Sequence, residues 1–266
     1  MSSICIMCAM DEEYSEFVSF IDKKSEYIFH HYKITKGWIN DIPILLILCD
    51  VGKVSAALAV EHIVAKEKIE FILVAGVAGS LDDRLQIGDI VLVDRAVSHD
   101  CWHPLFMNYW DNHLASWGSR VFQTDALLLN TLSKVLRGCE PEFADWMTRI
   151  TKRKSSRIDI GAIATGDMAV FSKDKITQGL LDVFPAKCVD METAAIFQAA
   201  SLRNIPCAAV RCISDVADDH RPLFAALRYV EPLCQHLASF LSHNISGLME
   251  EYSKAKRDTR SLYRFI

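Results

Sequence analysis

The chain has 266 residues and 30.0 kDa, with 51% hydrophobic and 24% charged residues, a balance that suits a full globular core and excludes extended disorder. A net charge of -5 and a pI near 6.0 argue against a nucleic-acid partner, which needs clustered cations to displace counterions from phosphates. The longest apolar runs, 42–49 and 71–79, are strand-sized and far below the roughly 20 residues that cross a bilayer, so neither a membrane partner nor an export signal is expected.

Residues 4–9 read as a buried strand, followed by an acidic first turn at Asp11, Glu12 and Glu13 and a helix running towards Lys23. Residues 27–39 and 42–49 resemble two antiparallel strands joined around Asn40 and Asp41. The segment VGKVSAALAVEHIVAKEK has helical apolar spacing, and 71–75 is another continuous strand, which Gly76 and Gly79 are expected to break. Gly88 and Asp89 introduce the strand IVLVDRAV, and Asp125 caps a helix through Leu136.

After an irregular, charged stretch over 138–157 comes a strand at 158–164, closed by Thr165, Gly166 and Asp167. Its basic run Lys152, Arg153, Lys154 and Arg157 reads as a solvated loop. Cys188 and Val189 end a short strand, Asp190 is expected to cap a helix holding Glu192, and 207–213 is the last strong strand. A long helix from about Leu223 and a polar tail from about 245 close the chain. Strand and helix patterns alternate, with a hairpin near the start and no internal repeat. The fold class expected is therefore α/β: residues 1–266 as a single domain built on one mixed β-sheet flanked by helices.

Nine cysteines, an odd count without a secretory signal, fit reduced thiols in a cytoplasmic protein better than a disulfide framework. Cys5 and Cys8 form a nominal CxxC, yet strand alternation sends them to opposite faces and no second pair completes a zinc site. No metal is expected.

Three acidic residues fall where strand-like runs give out: Glu13 in AMDEE, Glu192 in VDMET and Asp215 in RCISDVADD. In open α/β sheets ligands collect beyond the carboxyl ends of strands, so these carboxylates can converge although distant in sequence. Taken singly each has a plain alternative. Acidic residues at a helix start complement the macrodipole by about 0.3–1 kcal/mol, and Ser214 with Asp215 suits a turn. The glycines of AGVAGS match neither GxxxxGK[ST] nor GxGxxG, so a phosphate-binding loop is not indicated.

Taken together, AMDEE, VGKVSAAL, GVAGSL with IGDIVLVD, TGD, VDMETAA and VRCISDVADD stand in the order and approximate spacing of the methylthioadenosine/S-adenosylhomocysteine nucleosidases. The chain resembles that family from about 4 to 241. The resemblance implies a nucleoside phosphorylase/hydrolase-like fold and hydrolysis of the N-glycosidic bond of a 5′-substituted adenosine, with no cofactor because water is the nucleophile. It further implies that Glu13 activates the water, Asp215 protonates or hydrogen-bonds purine N7, and Glu192 holds ribose hydroxyls and stabilises the cationic sugar. Met10, Val51, Val77, Ala78, Gly79, Ala169, Val170, Asp190, Met191, Arg211 and Ser214 would surround the substrate. Ser214 would orient Asp215, and Arg211 would pair with Glu192. Homodimerisation is also implied.

Two positions depart from the family pattern. Val77 stands where a serine is usual, and Ala169 where an aromatic residue would stack on the purine, with Phe171 one register away. The stretch 99–117 carries Trp102, Phe106, Tyr109, Trp110 and Trp117 beside His99, His103 and His113. In relatives this region helps form the 5′ pocket; its alternative is core or interface packing. These features favour 6-amino-6-deoxyfutalosine, a menaquinone-pathway intermediate, narrowly over methylthioadenosine. A phosphorylase would need a cationic cradle where Asp11, Glu12 and Glu13 stand, and a non-catalytic nucleoside binder has little use for a water-activating Glu13.

Overall fold

The computed structural model describes residues 2–101, 121–138, 156–170, 181, 184–216 and 223–262. Its centre is a ten-stranded mixed sheet. Strand β1 (Ser3–Cys8) lies between β4 (Ile42–Leu48) and β5 (Ile69–Ser80), parallel to both. The hairpin strands β2 (Asp22–Phe29) and β3 (Tyr32–Ile39) extend the sheet antiparallel from β4.

On its other side β5 takes two partners in succession. It runs parallel to β10 (Cys207–Val216) over most of its length, and at Gly79 and Ser80 pairs antiparallel with β9 (Ala186–Asp190). Because β10 joins β6 (Ile90–Ser98), β6 joins β8 (Ile158–Thr165) and β8 joins β9, the strands β5, β10, β6, β8 and β9 close a circuit. The short β7 (Val121–Gln123) pairs with β6.

Helices cover both faces. Helices α1 (Asp11–Val18), α3 (Ala126–Gly138) and α5 (Leu223–Leu262) pack on one side, and α2 (Lys53–Lys66) and α4 (Thr193–Leu202) on the other. Strand alternation divides the core accordingly: Ile4, Ile6 and Cys8 join the cluster beneath α5, whereas Cys5 and Met7 join the cluster beneath α2 and α4. Cys5 and Cys8 thus face opposite ways, both as free thiols. Among the described residues no helix is long and apolar enough to cross a membrane.

Several boundaries differ from the sequence expectation. The first helix stops at Val18 rather than near Lys23, because residues 17–21 turn to bury Phe17 and Ile21 and the chain enters β2 at Asp22. The run 27–39 is not one strand: it reverses at His30 and His31, and its first half belongs to a charged, exposed edge strand that lacks the apolar alternation of a buried one. The turn at Asn40 and Asp41 lies where expected, with positive φ at both residues.

Gly76 and Gly79 do not break β5, which continues to Ser80 because β10 and β9 supply ladder partners there. Asp125 caps α3 as expected, its Oδ1 accepting the Leu128 N–H at 2.9 Å. The tail expected from 245 is the second half of α5, which buries Ile245, Leu248 and Tyr252. The residues Trp102, His103, Phe106, Tyr109, Trp110, His113, Trp117, Lys152, Arg153, Lys154 and Phe171 lie outside the described residues.

Candidate active site

Glu13 sits in the first turn of α1, three residues after Met10, the residue that caps the helix. A glutamate there reaches back to the unpaired N–H groups of the helix start. Its Oε2 accepts the N–H groups of Ala9 and Met10, at 2.8 and 3.1 Å, while Oε1 accepts the Val77 N–H from β5 at 2.9 Å. A carboxylate offers about four lone-pair positions, so one remains, on Oε1. Burial drives the Glu13 pKa upward; the Arg211 guanidinium and the three N–H groups oppose it. The outcome is a better proton acceptor than a free glutamate.

Arg211, only 1% exposed, is the charge around which three carboxylates gather. Its Nη2 lies 2.5 Å from Asp190 Oδ2 and 3.8 Å from Glu192 Oε2, and Nη1 lies 4.0 Å from Glu13 Oε1. Arg211 therefore hydrogen-bonds Asp190 and makes the expected pair with Glu192 only as a longer ion contact, and it is not among the residues that line the cavity. Asp190 is likewise consumed by the protein: Oδ1 accepts the Thr165 hydroxyl at 2.6 Å, and Oδ2 accepts the Thr193 N–H at 3.1 Å, the Thr193 hydroxyl and the guanidinium. Both residues were expected to surround substrate; Asp190 does line the cavity, with its carboxylate held by protein donors, whereas Arg211 stands behind the wall.

Glu192 is not within a helix, as expected, but stands at its N-cap, leaving α4 to start at Thr193 and Asp190 to accept the Thr193 N–H. This places the carboxylate at the cavity wall. Its Oε1 accepts the Gly52 N–H at 2.9 Å, and burial followed by repulsion from Asp190 pushes its pKa up to about 8. Asp215, further round the wall, takes the Ser214 hydroxyl on Oδ1 at 2.7 Å. Burial raises its pKa also, in the direction an acid needs to keep its proton.

One cavity is lined by Met10, Glu13, Val51, Val77, Ala78, Gly79, Ala169, Val170, Asp190, Met191, Glu192, Ser214 and Asp215. Every expected site residue except Arg211 thus meets there. Ala9, Met168 and Val189 complete the lining, and no aromatic ring is among the described lining residues.

Three glycines matter in ways the sequence reading missed. Gly52, with φ 104°, turns its N–H onto Glu192. A β-carbon on Gly76 would overlap Glu13 Oε1 and lie 2.5 Å from Arg211 Nη1. One on Gly79 would crowd Asp215 Oδ2 at 3.1 Å. Gly76 and Gly79 were expected to end the strand; within it they instead mark close approach by another group.

Comparison with known proteins agrees with this geometry. The family model described as Phosphorylase superfamily matches residues 3–242. A 5′-methylthioadenosine/S-adenosylhomocysteine nucleosidase of Maridesulfovibrio salexigens is 30% identical over 213 residues, 80% of this chain and 85% of the relative. Two solved structures share the fold. The corresponding nucleosidase of Neisseria meningitidis, in complex with methylthio-immucillin-A, has a TM-score of 0.77 at 22% identity, covering 92% of this chain and 99% of that one. A futalosine hydrolase of Helicobacter pylori has a TM-score of 0.75 at 24% identity, covering 94% and 98%. The chain belongs to the phosphorylase superfamily and, within it, to the methylthioadenosine/S-adenosylhomocysteine nucleosidase-like family of N-glycosidases.

Proposed function

We propose that the protein hydrolyses the N-glycosidic bond of a 5′-substituted adenosine, releasing adenine and the 5′-substituted ribose. The observation that carries this reading is the charge imbalance of the wall: Glu13, Asp190 and Glu192 surround a single guanidinium in a buried cluster. Such a cage lacks positive charge. Departure of adenine leaves an oxocarbenium-like ribosyl centre that supplies it, so the cluster interacts more strongly with the transition state than with the neutral nucleoside.

In this reading water bound at the vacant lone pair of Glu13 Oε1 attacks the anomeric carbon as the C–N bond breaks, and its proton passes to Glu13. Protonated Asp215, oriented by Ser214, gives its proton to N7 and so accepts the departure of the base. Glu192 Oε2 faces the ribose, because Oε1 is engaged by Gly52. Adenine is recognised along the segment 168–170 and the lining from Val77 to Gly79.

The 5′ group is set by where binding energy comes from. With alanine at 169 the purine loses a stacking partner worth about 1–3 kcal/mol in nucleic-acid systems, and the arm must compensate. A bulky arm does this better than a methylthio group, which favours 6-amino-6-deoxyfutalosine and a role in menaquinone synthesis. The second reading, methylthioadenosine or S-adenosylhomocysteine, is favoured by the activity named for the sequence relatives.

The chain acts as a cytoplasmic homodimer of one domain per subunit in this proposal. Buried free thiols suit a reducing compartment, and exposed Val54 and Leu58 on α2, next to the cavity residue Val51, offer an apolar face for a second copy. Adenine release from the three nucleosides, first without phosphate and then with it, tests the reading. Release independent of phosphate supports it; no release from any of them, or a strict need for phosphate, overturns it.

A further inference from the structure

Beyond the cavity wall, three loops that differ in origin are tied together by one ionic network. Lys53 opens α2, Asp100 follows β6 and Asp167 follows β8. The Lys53 ammonium lies 2.5 Å from Asp100 Oδ1 and 3.7 Å from Asp167 Oδ2. Asp167 Oδ1 accepts the Lys53 backbone N–H at 2.8 Å, and the Asp167 N–H donates to Asp100 Oδ2 at 2.9 Å. The His99 ring lies so close over Gly166 that no β-carbon fits there. Against its burial, the Lys53 ammonium and the Asp167 N–H hold the Asp100 carboxyl below the usual carboxylate range.

Each end of this network abuts a part of the site. Gly52, immediately before Lys53, donates the N–H that holds Glu192, and residues 168–170, immediately after Asp167, line the cavity. We propose that Lys53, Asp100 and Asp167 are positioning residues: their clasp fixes the Gly52 N–H on Glu192 and the 168–170 segment against the base at the same time. None of the three is among the cavity-lining residues, and a pair of partly exposed charges contributes little to stability by itself. The contribution is to geometry, where a shift of about 1 Å costs on the order of 100-fold in rate.

This inference rests on the proposed hydrolysis, but it is tested separately from it. The Glu192 carboxyl is followed by carbon-13 NMR in glutamate-labelled protein, assigned with Glu192→Gln, in the parent, Asp167→Ala and Asp167→Asn. Removing a nearby negative charge by electrostatics alone lowers the Glu192 pKa. Loosening the clasp withdraws the Gly52 N–H, which stabilises the charged form, and raises it.

The clasp predicts an upward shift of Glu192 in Asp167→Ala. Asp167→Asn, which keeps an acceptor for the Lys53 N–H, should return that titration towards the parent. An unmoved or lowered Glu192 titration in Asp167→Ala overturns it, whether or not the parent releases adenine. Where the parent does release adenine, Asp167→Ala should lose about 10- to 100-fold in kcat/KM with a near-parental melting temperature, and full activity in the folded variant overturns the proposal equally.

Discussion

Gly76 stands directly against the carboxylate of Glu13: the strand carries no β-carbon at the one place where Glu13 Oε1 and Arg211 Nη1 must approach the backbone. The residue has no positive φ, so its backbone suits any amino acid and only the space is special. A methyl group there forces Glu13 from its three N–H donors or Arg211 from its carboxylates. Gly76→Ala should therefore fold, as judged by circular dichroism, yet lose at least about 100-fold in adenine release. Parental turnover in that variant would show that Glu13 need not sit where the structure holds it.

Glu13→Gln separates an enzyme from a binder. The amide keeps most of the shape but cannot take a proton from water, and a general base contributes typically 10²- to 10⁴-fold. Turnover should fall by about that factor while calorimetry still records adenine binding. If binding and turnover were both unchanged, the base would lie elsewhere.

These two variants also mark how far the sequence could be read. Glu13, Glu192 and Asp215 were legible because each ends an apolar run, and in this architecture strand ends converge. The sheet and its flanking helices were legible from the same alternation. Gly52 and Gly76 were not, because their roles are set by groups 140 and 63 residues away in the chain. Arg211 was placed around the substrate by the family resemblance; only packing shows that Asp190 claims it. The strand β2 was obscured by its exposure, since the edge sequence DKKSEYIF lacks the alternation that burial imposes.

Ala169 is exposed at the rim of the cavity, so a ring has room there. Ala169→Phe should supply a stacking surface for the purine and lower KM for methylthioadenosine by roughly 5- to 150-fold, in line with about 1–3 kcal/mol per stacked base. The gain should be smaller for a substrate whose arm already supplies much of the binding. Steady-state kinetics on both nucleosides measures it, and an unchanged or raised KM would remove residue 169 from the base site.

Glu192 links the site to pH. Its folded pKa, pushed up to about 8 by burial and by Asp190, lies above the value of about 4.3 expected for an unfolded glutamate. Between those values the folded state binds more protons than the unfolded one, so this carboxyl's contribution to stability is complete below about pH 4, declines as pH rises and is lost above about pH 8. Glu192→Gln removes the dependence. Its melting temperature should gain on the parent progressively from about pH 5 to pH 8 and by a constant margin beyond, in scans at matched ionic strength. A margin that stays flat between about pH 5 and pH 8 would mean that Glu192 is held ionised in the free protein, and that Arg211 outweighs both burial and Asp190.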